Sequence, residues 1–221
     1  MENQFEISRA FWGNEILKGN LIYPNTEIIR FVKRNFKNTD IMILDYGCGG
    51  GRNTIALLNE GYKVIAMDYT DEAVLLTQKK LDSIGVTEYK VIKNDGFTIS
   101  LPEGSIDAVI ADGSLFYNSI DDTAKIVSEL QKVLKMGGLM WADFRTKKDS
   151  LYGRGKQIDD GLFVLEDGTG REGCSYLFVD ESDIRNIFTK ARMEIVSLDD
   201  YTYSEDNRRK LNSWFHVVAK K

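Results

Sequence analysis

The segment ILDYGCGGGRNT, residues 43–54, decides the fold of this chain. An apolar run leads into glycines at the alternate positions 47, 49 and 51, and a helical pattern follows. Asp45 stands two residues before the first of these glycines. Glycines placed directly after a strand let the backbone turn into a helix and approach a ligand closely. The segment therefore predicts a strand, a ligand-binding turn and a helix in succession.

The rest of the chain alternates between strand-like and helix-like stretches. The predicted strands are 41–45, 63–68, 89–93, 106–111, 138–144, 193–203 and 210–219, and the predicted helices are 26–36, 54–60, 71–84, 121–135 and 180–191. Such alternation is typical of a mainly parallel sheet that is covered by helices on both faces. The last two strands are close enough in sequence to form an antiparallel hairpin. We expect an α/β fold with a doubly wound, mainly parallel, seven-stranded Rossmann-like sheet and an antiparallel C-terminal edge strand.

Length and composition indicate one ordinary globular domain. The chain has 221 residues, 43% of them hydrophobic, a net charge of -5 and a pI of about 5.1. We expect a single domain with an N-terminal helical cap (1–38), a cofactor-binding core (41–145), a substrate-side lid (146–178) and a C-terminal helix and strand pair (179–221). The lid prediction rests on residues 151–174, which hold six glycines without clear periodicity and read as a long loop or a twisted hairpin.

The same numbers exclude several classes of partner. No apolar run approaches the ~20 residues that span a bilayer, and the N-terminus lacks the features of a signal peptide. The acidic balance argues against a long nucleic-acid partner, which Lys and Arg would have to contact. Two cysteines without metal-type spacing fit free thiols. We therefore expect a cytoplasmic protein that binds neither a membrane nor nucleic acid.

The glycine pattern distinguishes between cofactor classes. A dinucleotide fingerprint would need glycine or alanine at the sixth position from Gly47, where Arg52 stands, and no P-loop pattern occurs. The observed D-x-G-x-G-x-G pattern resembles motif I of the class I S-adenosylmethionine-dependent methyltransferases. The resemblance extends to Asp68 at the end of the second strand, to NDGF (94–97), to LPEGSIDAVIADGSLFY (101–117) and to LQKVLKMGGLM (130–140). It covers roughly residues 41–144.

The resemblance implies S-adenosylmethionine as the cofactor and S-adenosylhomocysteine as its product. By this comparison Asp45 meets the ammonium group, directly or through water, Asp68 accepts from the two ribose hydroxyls and Asp95 accepts from the adenine amino group. Each aspartate has a structural alternative as a helix cap or turn residue, and this alternative is strongest for Asp95 because Asn-Asp-Gly is an ordinary turn. The full set of expected cofactor-binding residues is Asp45, Tyr46, Gly47, Cys48, Gly49, Gly51, Asp68, Tyr69, Asn94, Asp95, Gly96 and Asp112.

The sequence offers candidates, most of them with an alternative, for the residues that would bind a methyl acceptor or take its proton. Asp112, after the fourth strand, is a candidate base or orienting group, with a structural turn as its alternative. His216, the single histidine, is a second candidate base, with a structural role in the last strand as its alternative. Arg145, Tyr117 and Tyr152 are candidate substrate-binding residues. Arg145 would hold an anionic acceptor, or else lie in solvent at a strand end.

We therefore expect transfer of a methyl group to an oxygen or nitrogen of a small-molecule metabolite. The Asn/Asp-Pro-Pro-Tyr/Phe motif of enzymes that methylate nucleic-acid bases or glutamine side chains is missing after the fourth strand. Two alternatives stay open, a protein or RNA acceptor and a catalytically silent subunit that only binds the cofactor. We expect no metal, because the sequence has no His/Cys cluster. Oligomeric state cannot be read from the pattern.

Overall fold

The computed structural model of the chain describes residues 4–19, 22–86 and 89–221. The predicted N-terminal cap, 1–38, therefore lies partly outside the described residues, at 1–3 and 20–21. The helices are α1 (Gln4–Leu17), α2 (Thr26–Asn35), α3 (Arg52–Asn59), α4 (Asp71–Ser83), α5 (Ile120–Val133) and α6 (Glu181–Lys190). The strands are β1 (Met42–Tyr46), β2 (Lys63–Asp68), β3 (Lys90–Lys93), β4 (Ile106–Ala111), β5 (Leu134–Thr146), β6 (Gly155–Asp159), β7 (Leu162–Leu165), β8 (Ser175–Val179), β9 (Glu194–Glu205) and β10 (Lys210–Lys220).

The main sheet has the predicted doubly wound order. Across the described ranges its strands run β3-β2-β1-β4-β5-β10-β9, and β1 to β5 pair in parallel. β10 is antiparallel to β5 on one side and to β9 on the other. The predicted C-terminal hairpin therefore closes this end of the sheet, with the antiparallel strand one position inside the edge.

Three further strands branch from the carboxyl end of β5. Residues 151–174, expected as a loop or a twisted hairpin, contain the antiparallel pair β6–β7. β8 was not predicted, although SYLFV is a short apolar run whose residues are all buried. It pairs antiparallel with β7 and in parallel with the last residues of β5. This addition builds a second wall beside the carboxyl edge of the main sheet.

Local capping explains where several helices begin. Asn25 caps α2, which was predicted to begin at residue 26, and its side chain accepts a hydrogen bond from the Glu27 N–H. α3 begins at Arg52, two residues earlier than predicted, directly after the left-handed Gly51. Asp180 caps α6 and accepts a hydrogen bond from the Asp183 N–H. These starts bring the N-termini of α2 and α3 to the carboxyl edge of the sheet, where ligands of such folds bind.

Two apolar clusters hold the sheet between its helices. One joins α2 and α3 to the face of β1 that carries Ile43, and includes Ile28 and Leu57. The other joins α5, α6 and β8 to the opposite face and includes Phe144, Phe178 and Phe188. In the described ranges no helix is long and apolar enough to cross a bilayer.

Candidate active site

A cavity of about 1140 Å³ opens at the carboxyl ends of β1, β2, β4 and β5. The glycine turn forms its floor, and α1, β8 and the β9–β10 pair contribute walls. α1 lies against this region through Trp12, whose ring centroid is 5.2 Å from that of Tyr117. The cavity thus occupies the position that the strand order favours for a ligand.

The first glycine of the turn allows a close approach that no other residue could make. Gly47 has φ +72°, and a Cβ placed there would lie 2.4 Å from the Cβ of Ser114. The N–H groups of Gly47 and Cys48 both donate to the Met67 carbonyl, at 2.8 and 3.0 Å. The turn is therefore fixed to the end of β2, and at Gly49 the space where a Cβ would stand is open.

Asp68, at the end of β2, is held rigidly at the floor of the cavity. Its Oδ2 accepts from Gly49 N at 2.9 Å, and its Oδ1 accepts from Thr70 N and Thr70 Oγ1, both at 2.9 Å. Burial raises the pKa of Asp68, while these hydrogen bonds oppose the rise by stabilising the ionised form. The carboxylate has a fixed position with lone pairs left for a ligand.

Asp45 lies below the turn and does not line the cavity. Its Oδ2 accepts from Thr54 Oγ1 at 2.5 Å, and burial raises its pKa to about 7. Its expected contact with a ligand ammonium group stays a prediction.

The end of β3 offers one unpaired donor. Asn94 lines the cavity beside Tyr69, and its Nδ2 is buried without a hydrogen-bond partner. Tyr46 Oη donates to Gly96 O at 2.7 Å and fixes this loop.

Asp95 has its own hydrogen bonds and does not line the cavity. Its Oδ1 accepts from the N–H groups of Phe97 and Thr98, at 2.8 and 2.6 Å, and these bonds lower its pKa. The structure therefore favours the turn alternative for Asp95.

Asp112 stands at the centre of a polar network. Its Oδ1 accepts from Asn25 Nδ2 at 2.9 Å, and its Oδ2 accepts from the Arg52 guanidinium at 2.6 Å and from Asn53 Nδ2 at 2.9 Å. The side chain lines the cavity, yet both of its oxygens are already engaged. This arrangement favours an anchoring role over that of a base.

Asp143 is a cavity-lining carboxylate that the sequence analysis missed. It lies within β5, where its Oδ1 accepts from Gly113 N at 2.7 Å. Burial and the nearby charge of Asp112 raise its pKa to about 7, although the positive charge of Arg145 opposes the rise. No side-chain donor or ion pair engages it in the described part of the chain. Its signal in the sequence was an acidic residue inside an otherwise apolar strand, GLMWADF.

Arg145, a candidate substrate-binding residue, lines the cavity, and the alternative of a solvated strand-end charge is wrong. Its side chain is 14% exposed and pairs with Asp149 at 2.6 Å. Its guanidinium carbon lies 4.7 Å from the ring centroid of Trp214, also within range of Phe116 and Tyr176. Arg145 Nε is buried without a partner.

The remaining acceptor candidates divide between the cavity and the surface. Tyr117 and His216 line the cavity, and burial lowers the pKa of His216. Tyr152 does not line it. This residue is 43% exposed and packs on Phe163 and Phe178, so the structure does not support its expected role in binding substrate.

The described residues contain no group of three or more His, Cys, Asp or Glu side chains arranged to hold a metal ion. Both cysteines, Cys48 and Cys174, are free and buried.

Comparison with known proteins agrees with this geometry. A family described as "Methyltransferase domain" matches residues 43–138. Phosphoethanolamine N-methyltransferase 1 of Triticum aestivum is 32% identical over 101 residues, which are 43% of this chain and 20% of that protein. The chain thus matches about a fifth of the length of this curated relative.

Solved structures share the fold. An S-adenosylmethionine-dependent methyltransferase from Methanosarcina mazei superimposes with a TM-score of 0.73 at 22% identity, covering 86% of this chain and 96% of the other. The Burkholderia thailandensis 1,6-didemethyltoxoflavin-N1-methyltransferase, solved with 1,6-didemethyltoxoflavin and S-adenosylhomocysteine bound, superimposes with a TM-score of 0.66 at 15% identity, covering 87% and 75%. The strand order and the glycine turn agree with these matches: residues 43–138 match the methyltransferase domain family, and the chain shares the fold of the solved S-adenosylmethionine-dependent methyltransferases.

Proposed function

We propose that this chain transfers a methyl group from S-adenosylmethionine to an oxygen or nitrogen atom of a small-molecule acceptor. The observation that carries the proposal is one continuous cavity with two chemically different ends. Gly47, Asp68 and Asn94 lie at one end, and Asp143 and Arg145 lie at the other.

The first end fits the cofactor. Gly47 lets the turn pack directly against Ser114, and the space where a Cβ of Gly49 would stand is open, so the methionine part of the ligand can approach the backbone there. Asp68 suits the ribose diol because a fixed carboxylate accepts two hydroxyl donors. Asn94 Nδ2, buried and unpaired, suits a ring nitrogen of adenine. A buried donor without a partner costs about 1–3 kcal/mol, which a ligand acceptor would relieve.

Further cofactor contacts are assigned by the same reasoning. We assign Tyr46, Cys48, Gly49, Gly51, Tyr69 and Gly96 to the cofactor end as well, since they form or flank the two loops there. Asp45 is assigned an indirect part, because it lies below the turn.

The second end supports a small acceptor. Ligand cavities commonly measure roughly 300–1,000 Å³, so a cavity of about 1140 Å³ has room for the cofactor and one further small molecule. α1, β8 and the β9–β10 pair line it from several sides, which suits a compact molecule better than a protein or RNA. The two free, buried cysteines support a cytoplasmic location.

The chemistry divides between the ligand and the chain. S-adenosylmethionine, when bound, supplies an electrophilic methyl group on a sulfonium ion. The chain positions the acceptor, and holding reactants in line supplies much of the rate of such a displacement. Tyr117 and Arg145 would position the acceptor, and Asp143 would receive a proton if the acceptor arrives protonated.

Thermal unfolding with S-adenosylhomocysteine tests the cofactor site. At 100 times its dissociation constant the ligand should add about 2.7 kcal/mol, a rise in Tm of about 5–10 °C for a chain of this size. Asp68→Asn should remove most of the rise. Asp71→Asn, which changes an exposed carboxylate at the start of α4, three residues further on, should keep it. No rise at millimolar ligand would refute the cofactor site.

Methyl transfer itself needs a second measurement. Incubation with methyl-labelled S-adenosylmethionine and a metabolite extract should give labelled small molecules, and none in the presence of Asp68→Asn. Label found only in protein or RNA would favour the alternative acceptors. Cofactor binding without any labelled product would favour the silent subunit.

A further inference from the structure

Four ring side chains of β9 and β10 form one wall of the cavity. Trp214 pairs in register with Tyr201, and Tyr203 and His216 lie two residues further along their strands. Side chains two residues apart point to the same side of a strand. All four line the cavity. We call Tyr201, Tyr203, Trp214 and His216 the aromatic wall.

The rings of the aromatic wall stack on one another. Tyr201 and His216 lie 4.9 Å apart at 18°, and Tyr203 and Trp214 lie 5.6 Å apart at 27°. Yet Tyr201 is 47% exposed and Tyr203 42%. Large rings that stay half-exposed beside a deep cavity provide apolar area that a ligand can cover.

Two polar groups lie beside the aromatic wall on β5. Asp143 pairs in register with His216, and Arg145 pairs with Trp214. Both face the cavity and stand two residues apart, so their backbones are separated by roughly 6–7 Å. Asp143 is a hydrogen-bond acceptor with one oxygen engaged by Gly113, and Arg145 Nε is an unpaired donor.

More aromatic side chains line the same end of the cavity. Phe116, Tyr117 and Tyr176 contact one another with ring centroids 4.7–5.6 Å apart, and Trp12 packs on Tyr117. Asp143 and Arg145 therefore lie between the aromatic wall and this second group of rings. Such surroundings favour a ligand with a flat apolar ring and a polar group at each end.

We propose that the methyl acceptor is an aromatic compound with a ring hydroxyl at one end and an oxygen-bearing group, such as a carboxylate, at the other. The ring lies on the aromatic wall, the hydroxyl donates to Asp143, and the second oxygen accepts from Arg145 Nε. This inference rests on the proposed function and specifies its substrate class.

The proton and electron pairs balance in the proposed transfer. The acceptor oxygen forms its bond to the methyl carbon while its O–H bond breaks, and the proton moves to Asp143. The electron pair of the broken carbon–sulfur bond stays on sulfur. Asp143 then returns the proton to water.

Binding of four matched probes tests the substrate class without turnover. Calorimetric titrations into the full chain saturated with S-adenosylhomocysteine would use 4-hydroxybenzoate, 4-hydroxycyclohexanecarboxylate, benzoate and phenol. The first probe carries all three features, and each of the others lacks one. We expect 4-hydroxybenzoate to bind at least about fivefold more tightly than each of the other three.

Variants then assign each feature to its residue. Trp214→Leu should remove the preference for the aromatic over the saturated probe, while Tyr89→Leu, a tyrosine outside the cavity, should keep it. Arg145→Lys retains a cation beside Asp149 but lacks Nε–H, and should weaken 4-hydroxybenzoate about tenfold while phenol binds as before. Asp143→Asn should slow methylation of 4-hydroxybenzoate by at least about 100-fold.

Two results would overturn the inference. One is equal affinity for 4-hydroxybenzoate and its saturated analogue, or no binding of either at 10 mM. The other is a Trp214→Leu variant that keeps the full aromatic preference. Because S-adenosylhomocysteine binding is measured separately, either result would leave the cofactor site standing and reject only the substrate class.

Discussion

Replacing Asp143 by asparagine should stabilise the protein in a way that depends on pH. The pKa of Asp143 rises from its usual 3.8 to about 7 because its carboxyl group is buried beside the charge of Asp112. The folded chain therefore holds this proton more tightly than the unfolded chain. Because the native pKa lies above the unfolded value, the contribution of Asp143 to the free energy of unfolding is fully present in acid. That contribution is lost as the pH rises from the unfolded pKa through 7.

The size of this effect on the free energy of unfolding follows from the pKa shift of Asp143. Each pH unit between the two pKa values is worth about 1.4 kcal/mol, so this group costs about 3 kcal/mol of stability between pH 5 and pH 7, and little more beyond. Asparagine cannot ionise and can still accept from Gly113 N. The stability gained by Asp143→Asn should therefore grow by about 3 kcal/mol from pH 5 to pH 8.

Urea unfolding of both proteins at pH 5, 6, 7 and 8 measures this gain. Asp95→Asn is the control. The pKa of Asp95 is lowered, so its contribution is already complete at pH 5 and should not change up to pH 8. A gain from Asp143→Asn that stays constant across the four pH values would refute the reasoning, because Asp143 would then be ionised throughout.

Three further outcomes can be measured on the same protein. Gly49→Ala should lower the free energy of unfolding in urea by about 1 kcal/mol, because φ is +54° but the space for a Cβ is open. Gly47→Ala should lower it further and abolish S-adenosylhomocysteine binding, because its Cβ would meet Ser114. Equal costs for the two would contradict this. Arg145→Met should lower the free energy of unfolding by about 3–5 kcal/mol, because it leaves the buried Asp149 carboxylate unpaired, and Arg145→Lys should recover most of that loss. The thiols of Cys48 and Cys174 should react slowly with a disulfide reagent at pH 8 until guanidinium is added, because burial raises their pKa values. Fast reaction of either thiol in the folded protein would contradict this.

The cofactor end of the cavity was readable because its residues follow one another in local motifs. Gly47 and Asp68 each stand at a strand end, where parallel strands bring them to one edge. The fold was readable for the same reason, since alternating strands and helices leave few topologies.

The opposite end of the cavity was only partly readable: Arg145, Tyr117 and His216 were candidates, but their meeting with Asp143 depends on strand pairing. Asp143 sits inside a strand and faces His216 on β10, a register that sequence spacing does not reveal. β8 was hidden because its five buried residues, SYLFV, follow a glycine-rich stretch and show no alternation of polar and apolar side chains. The surroundings of Arg145 were not readable because the rings around it come from β4–α5, β8 and β10 rather than from its own strand.

The contact between α1 and β8 has a consequence for how the chain is made. Gln4 Nε2 donates to Gly173 O at 2.6 Å, and the Ser8 hydroxyl lies 3.4 Å from that of Ser175. These partners stand 169 and 167 positions apart, so α1 leaves the ribosome long before the segment on which it docks exists. Contacts of such long range close late in folding. The glycine turn can form early, but this wall of the cavity is completed only when the last third of the chain is in place.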